Sequence, residues 1–382
     1  MDFEWSDEEN ELRSRLRAYI ESHILPGWSS IDRDVHNRET IDASLDFCRG
    51  LARLGLLTPT WPVEYGGSAA SRWAQIVTSE ELRGAGEPRG PQYTNVNWIG
   101  PAIMELGTKE QKEKLLKAIS AGEAIWCQGF SEPDAGSDLS ALRTFAQRDG
   151  DEYVVNGQKT WTSYASAAHY CFLLVRTQRV DNPREGISIL LVPMDLDGIE
   201  VRDIPTLAIE HMLHEVFFHD VRVPVSCRLG DENEGWQIIR TLLANERTQT
   251  SLHEEIERSL DELAREAANV GVDLNDPLVA ETLGRAAAAA WSSRILNYVA
   301  VQALADGSDQ YSNLASLYKA SAAQMSAETA KAYLTVLGAS ALLTTSAGDY
   351  RMISAIENGI GGGSTEMQLN NIAWYILNLP KR

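Results

Sequence analysis

The apolar pattern changes period twice along this chain, from helical spacing to alternation and back, and that order restricts the fold more than any single motif. From Ser6 the chain reads Ser-Asp-Glu-Glu, a capping box in which Ser6 and Glu9 satisfy exposed backbone N–H groups. Leu12, Leu16, Tyr19 and Ile20 follow at helical spacing, which predicts an amphipathic first helix. Further helices are expected over Ile41 to Leu54 and Arg72 to Leu82, and another opens at Thr108 with Gln111 three residues on. Residues 1–122 therefore read as mainly α.

After Gly122 the runs shorten and fill with β-branched and aromatic residues: Tyr153 to Val155, Tyr170 to Val175, Ile187 to Val192 and Val216 to Val223. Asp149-Gly150, Asn156-Gly157 and Asp197-Gly198 read as turns between them, so residues 123–228 are expected to form an antiparallel sheet or small barrel. Residues 229–382 return to helical spacing from Gly235, with alanine-rich stretches at Gly284 to Trp291 and Ala320 to Ala332 that let helices approach closely. The class is α+β, in the order α, β, α.

At 382 residues the chain has ample apolar material for more than one packed layer, and its formal charge of −20 repels nucleic acid and anionic membrane surfaces. Cys48, Cys127, Cys171 and Cys227 are widely spaced, lack a zinc-site pattern and read as reduced core thiols. No basic, apolar leader and no membrane-length apolar run occur, so a cytoplasmic protein is expected.

Three segments carry the chemistry. Trp126-Cys-Gln-Gly-Phe-Ser-Glu-Pro-Asp-Ala-Gly-Ser-Asp138 is a strand running into a turn whose backbone N–H groups can face an anionic or electron-rich ligand. Asn156-Gly-Gln-Lys-Thr-Trp-Thr-Ser163 reads as a tight turn followed by a strand, with Trp161 either displayed beside Thr162 and Ser163 or buried as a core tryptophan. Glu215-Val-Phe-Phe-His-Asp-Val-Arg-Val-Pro224, with Leu229-Gly-Asp-Glu-Asn-Glu-Gly-Trp236, closes the β region and opens a helix.

In this order and at these separations, together with Trp61-Pro-Val-Glu-Tyr-Gly-Gly67 and Gly363-Ser-Thr-Glu366, the segments resemble the acyl-CoA dehydrogenase family over nearly the whole chain. The resemblance implies an N-terminal helical domain, a middle antiparallel β domain and a C-terminal four-helix bundle, with FAD between the last two. It implies FAD contacts from Gln128, Phe130, Ser131, Gly136, Ser137, Trp161, Thr162, Ser163, Ser364 and Glu366, with Ser163 near flavin N5 and Trp161 over a ring face. Ser137 and Arg247 are the implied substrate contacts, and Tyr93, Trp98 and Met104 are candidates for lining the acyl pocket.

α,β-Dehydrogenation of an acyl-CoA needs a desolvated carboxylate to take the α proton. Many members of the family carry that glutamate in a late Tyr-Glu-Gly-Thr segment, but the matching stretch here is Ile360-Gly-Gly-Gly-Ser-Thr-Glu366, with Gly362 in its place. A smaller set, including isovaleryl-CoA dehydrogenase and some steroid side-chain or dicarboxylyl-CoA dehydrogenases, carries it in a Glu-Arg pair on the first C-terminal helix. That pair is Glu246-Arg247 here, with Ile239, Leu242 and Leu243 as an apolar wall able to raise its pKa. A surface ion pair is the plain alternative, and Glu366 is the rival carboxylate.

Homotetrameric members complete each FAD site with an Arg before a Phe-Gly pair and a Gln-x-x-Gly-Gly-x-Gly run. Here no phenylalanine follows Phe218, and the later run reads Thr335-Val-Leu-Gly-Ala-Ser-Ala341. The resemblance then points to a paralogous subunit in an α2β2 heterotetramer, with a homotetramer or homodimer as the alternative and electron-transfer flavoprotein as acceptor. Other readings are an FAD-poor scaffold subunit, or an oxygen-using acyl-CoA oxidase or monooxygenase on the same fold. The motif wording is most similar to steroid side-chain and pimeloyl-type members, which implies a bulky or unusual acyl group.

Overall fold

The structure, a computed structural model, describes residues 4–25, 28, 38–207, 211–249, 251–343 and 347–381. Three helices lead: α1 (Asp7–His23), α2 (Arg38–Arg53) and α3 (Arg72–Gly84). Short α4 (Gln92–Thr94) and α5 (Gly100–Leu106) are joined by a π turn at Asn95–Ile99, and α6 (Lys109–Gln111) and α7 (Lys117–Ser120) by another at Lys112–Leu116. Both expected capping boxes form: the Ser6 hydroxyl accepts from Glu9 N at 3.3 Å, and the Thr108 hydroxyl from Gln111 N at 3.2 Å. Gln111 does more than cap, because its amide also donates to the carbonyls of Ser226 and Arg228 at 2.8 and 2.9 Å and so ties the helices to the β region.

The strands are β1 (Trp126–Gly129), β2 (Phe145–Asp149), β3 (Glu152–Ser163), β4 (Tyr170–Arg176), β5 (Ile187–Pro193), β6 (Ile199–Asp203), β7 (Leu213–Pro224) and β8 (Arg228–Leu229). Their order is β6-β7-β3-β2-β4-β5-β8, with β1 beside β4. Two expectations need correction. The sheet is not wholly antiparallel, because β1 runs parallel to β4 and Phe145 of β2 meets Arg176 of β4 in parallel register. Asn156-Gly157 is not a turn: it lies inside β3, where the register against β7 slips between Val155 and Gly157. A β-carbon at Gly157 would stand 2.5 Å from the Thr144 hydroxyl, so this glycine serves a bulge and a close approach. Asp149-Gly150 is the β2–β3 turn, as the dipeptide predicts.

The C-terminal helices are α8 (Gly235–Gln249), α9 (Leu252–Asn269), α10 (Pro277–Ala305), α11 (Tyr311–Leu337), α12 (Ala347–Asn358) and α13 (Thr365–Asn371). The bundle expected from resemblance therefore carries two further short helices. The alanine-rich stretches lie in α10 and α11, whose small buried side chains at Ala290, Ala300, Ala315 and Ala322 permit close packing. Cys48, Cys127 and Cys171 are buried thiols, whereas Cys227 is only half-buried.

Polar groups lock these helices together. Glu80 of α3 accepts from Tyr298 of α10 at 2.6 Å and from Arg13 of α1 at 3.0 Å, with His253 of α9 3.2 Å away. Burial opposes ionisation of Glu80, but hydrogen bonds from His253 and Tyr298 outweigh it and hold the carboxyl down to about 2. Glu80, His253 and Glu254 bring ligand atoms within 4.8 Å of one another, yet Arg13, Tyr298 and Arg294 already engage the two carboxylates, so this cluster is a helix clamp rather than a metal site. Among the described residues no helix is long and apolar enough to cross a membrane.

Arg351 pins α12 to α9 through Glu255 at 3.0 Å and Glu262 at 2.9 Å. Arg351→Met is expected to cost about 3–5 kcal/mol by leaving those carboxylates without their buried counter-charge. Urea unfolding should show the loss, and an unchanged midpoint would mean that the pair is not what holds α12.

Candidate active site

Helix α8 carries Ile239 and Leu242 on its core face, both buried, and Glu246 follows one turn after Leu242 on that face. The surface-pair alternative fails there, since Glu246 is half-buried and faces the turn after α12. A β-carbon built on Gly362 would lie 3.5 Å from Glu246 Oε1, 3.7 Å from Lys319 Cε and 3.9 Å from Lys319 Nζ. Arg247 Nε donates to the Gly362 carbonyl at 3.4 Å. Gly362 and Gly363 hold φ of +66° and +94°, left-handed conformations that favour glycine and keep the turn close over α8.

The electrostatics follow from this enclosure. Burial pushes the Glu246 carboxyl above its usual range, while the charges of Arg247 and Lys319 pull it back. Burial lowers Lys319 to about 8 against the attraction of Glu246, and lowers Arg247 as well. Tyr93 is pushed up to about 12, first by burial and further by the Glu246 charge. Tyr93 stands edge-on to buried Trp98 with ring centroids 5.3 Å apart, while Met104 packs into the N-terminal core. Glu366, the rival carboxylate, is exposed in the first turn of α13, where the Ser364 hydroxyl caps the helix by accepting from Met367 N at 3.3 Å.

The first two sequence segments also meet. Thr160 N donates to the Ser131 carbonyl at 2.9 Å, and Lys159 Nζ donates to the Phe130 carbonyl at 3.0 Å and Glu132 Oε1 at 2.8 Å. Glu132 in turn accepts from the backbone of Arg143 and Thr144 at 2.6 and 2.9 Å, so the whole turn after β1 is stapled to β3. A second register slip between Lys159 and Thr162 puts Trp161 at φ +58°, which turns its side chain outward to 58% exposure. It is not a core tryptophan.

Beside it, Thr162 Oγ1 and Gln128 Nε2 are buried without a hydrogen-bond partner among the described residues. Buried polar atoms left unpaired call for a ligand. Gly136 and Ser137 are exposed, and a β-carbon at Gly136 would meet nothing within 4 Å. Inward donors and an outward indole near the C-terminal ends of β1 and β3, with the open Gly-Ser turn that follows β1, fit a flat, acceptor-rich ring carrying phosphates.

Comparison with known proteins settles what kind of chain carries this arrangement. The family descriptions "Acyl-CoA dehydrogenase, N-terminal domain", "middle domain" and "C-terminal domain" match residues 6–123, 127–221 and 233–377. Acyl-CoA dehydrogenase IpdE1 of Mycobacterium tuberculosis is 31% identical over 97% of this chain and 98% of its own. The chain belongs to the acyl-CoA dehydrogenase family. Acyl-CoA dehydrogenase FadE26 of the same organism is 33% identical over 100% of this chain and 99% of its own. The solved "Tcur3481-Tcur3483 steroid ACAD" superposes with a TM-score of 0.89 at 31% identity over all of both chains. The ChsE4-ChsE5 complex of Mycobacterium tuberculosis gives 0.87 at 32% identity, again over all of both chains.

This acyl-CoA dehydrogenase is thus an oxidoreductase acting on acyl-CoA, in a family whose members are generally FAD-dependent. Sequence reasoning missed Lys319 and Glu357 of α12, which is itself raised by burial and sits within electrostatic reach of Lys319. A signal for Lys319 was present: it is a lone cation whose helical neighbours Ala315, Ser316, Ala322 and Ala323 carry no charge.

Proposed function

We propose that this acyl-CoA dehydrogenase removes hydrogen from the α and β carbons of an acyl-CoA with a bulky, steroid-derived acyl group, using Glu246 as base and FAD as oxidant. One observation carries the assignment of the base. The family's two seats for the glutamate converge here: the Glu246 carboxylate occupies the room into which a side chain at Gly362 would point, 3.5 Å from that β-carbon position. Chain positions far apart deliver the same carboxylate to one place, which is what a fixed substrate geometry requires.

When bound, FAD supplies the oxidising power by accepting the β hydrogen with its electron pair. Gln128, Thr162 and Ser163 would donate hydrogen bonds to its ring, Trp161 would cover a face, and Ser131, Gly136, Ser137 and the turn at Ser364 and Glu366 would lie along its phosphates. The protein's own part is acid–base. Glu246 takes the α proton and becomes neutral, a change that burial favours. Arg247 holds the Gly362 turn in place above the base and stands ready for the thioester end of the substrate, and Ser137 lies on the opposite, sheet side.

The steroid-like substrate is drawn from the relatives, among them the solved "Tcur3481-Tcur3483 steroid ACAD". A cytoplasmic setting and electron-transfer flavoprotein as acceptor complete the reading. A paralogous partner subunit in an α2β2 assembly accounts for the missing Phe-Gly and Gln-Gly-Gly contacts. Ile356 of α12, Ile360 in the turn after it, Leu369 of α13 and Leu377 near the C-terminus are 67%, 65%, 54% and 61% exposed, apolar side chains available for association. Losing charged hydrogen bonds to a pyrophosphate costs about 1.5–3 kcal/mol each, so the chain expressed alone is expected to hold well under one FAD per chain. A stable homotetramer with one FAD per chain would refute the partner. Anaerobic flavin bleaching across a panel of acyl-CoAs tests the substrate: steroid side-chain thioesters should bleach it fastest, and a preference for short linear chains would overturn that part.

A further inference from the structure

Glu246 has a companion that the dehydrogenation chemistry does not require. Lys319 is 7% exposed in α11, where its helical neighbours Ala315, Ser316, Ala322 and Ala323 are small and uncharged, and burial there is costly for an ammonium. Its Nζ donates to the carbonyl of Asn358 at 3.0 Å, the last residue of α12, where a helix leaves its carbonyls unsatisfied and gathers negative charge. The same side chain faces Glu246 across the space above Gly362.

Resting on the reading of Glu246 as base, we propose that Lys319 is a positioning residue for the reaction, one that holds the 358–363 turn to the bundle and presents the Glu246 carboxylate in its ionised form.

The charges around the pair favour this role. Glu246 and Arg247 reach Lys319 from α8, Glu255 from α9 and Glu357 from α12, and Glu246 is the largest attractive influence among them. Around Glu246 itself, burial favours the neutral acid, and the two cations Arg247 and Lys319 oppose it. The sign runs both ways. Below pH about 8 Lys319 is charged and lowers the pH at which Glu246 ionises; above it the amine is neutral and that help disappears. A lysine that merely caps α12 would give stability without any influence on the pH dependence of proton abstraction.

Lys319→Gln separates the two roles, because the amide keeps a donor for Asn358 and drops the charge. The rate of flavin reduction by acyl-CoA, measured against pH in the flavin-loaded complex, is expected to show an acidic limb displaced to higher pH in Lys319→Gln relative to wild type. Lys319→Arg, which keeps the charge, should keep the acidic limb at its wild-type position. In [13C]lysine-labelled protein, one side-chain resonance should titrate near pH 8 and vanish in Lys319→Gln. A Lys319→Gln profile that superimposes on wild type, or falls uniformly with pH alongside a lower melting temperature, would overturn the proposal. Should Glu246→Gln reduce flavin at the wild-type rate, the base assignment fails instead, so the two failures are distinct.

Discussion

Glu246→Gln should reduce acyl-CoA-dependent flavin reduction by about 100- to 10,000-fold, the usual worth of a positioned general base. Glutamine has the same shape, so flavin content and melting temperature should stay near wild type. Glu246→Asp should fall between the two, because the carboxylate withdraws by one methylene and a misplacement of about 1 Å costs roughly 100-fold. The pH dependence has a definite direction. Burial raises Glu246 above the ordinary carboxylate range, so wild-type activity should decline on acidification at a higher pH than an exposed carboxylate would dictate. A Glu246→Gln enzyme retaining more than a tenth of the wild-type rate would remove Glu246 from the mechanism.

Lys159→Met should produce the largest loss of stability in the β region, about 3–5 kcal/mol, together with loss of flavin. Lys159 and Glu132 form an ion pair 0% and 7% exposed, and removing the lysine leaves a buried carboxylate held by Arg143 and Thr144 without its buried counter-charge. That carboxylate anchors the turn from Phe130 to Ser137, so its rearrangement loosens the region proposed to hold the cofactor. Adding Glu132→Gln should recover part of the loss, because the amide oxygen still accepts from Arg143 or Thr144 without a stranded charge.

The pair also sets an acid dependence. Burial alone would raise Glu132, but the charge and hydrogen bond of Lys159, together with hydrogen bonds from Thr144 and Arg143, outweigh it and the folded carboxyl lies below its usual range. Its contribution is therefore present above the ordinary carboxylate pKa and lost as pH falls through the folded one. In Lys159→Met the carboxylate takes up a proton more readily, so the stability gap to wild type should narrow between pH 7 and 5. Urea unfolding at both values checks this, and a gap that widens in acid would mean the ion pair is not the source of the loss.

Much of the chain was legible because its signals are local. Ser6 with Glu9 and Thr108 with Gln111 mark helix starts from four residues each, and Ile239, Leu242 and Glu246 share a helix face by spacing alone. Asn156-Gly157 was misread for the same reason. The dipeptide suits a two-residue turn, but β7 continues alongside β3 past this point, so the chain absorbs it as a bulge. The short strands β2 and β6 carry too few apolar residues to announce themselves and exist because β3 and β7 offer partners.

What the sequence by itself determined is the order of helix, sheet and helix, the caps, the family and the Glu246-Arg247 pair on the first C-terminal helix. Only the tertiary structure brought Lys319 and Gly362 to that glutamate, opened Trp161 to the surface and left Gln128 and Thr162 without partners. Periodicity specifies which face of an element is apolar, over a turn or two of chain. Which charged groups end up facing one another across packed helices depends on crossing angles and on what fills the space between, and no local pattern encodes that.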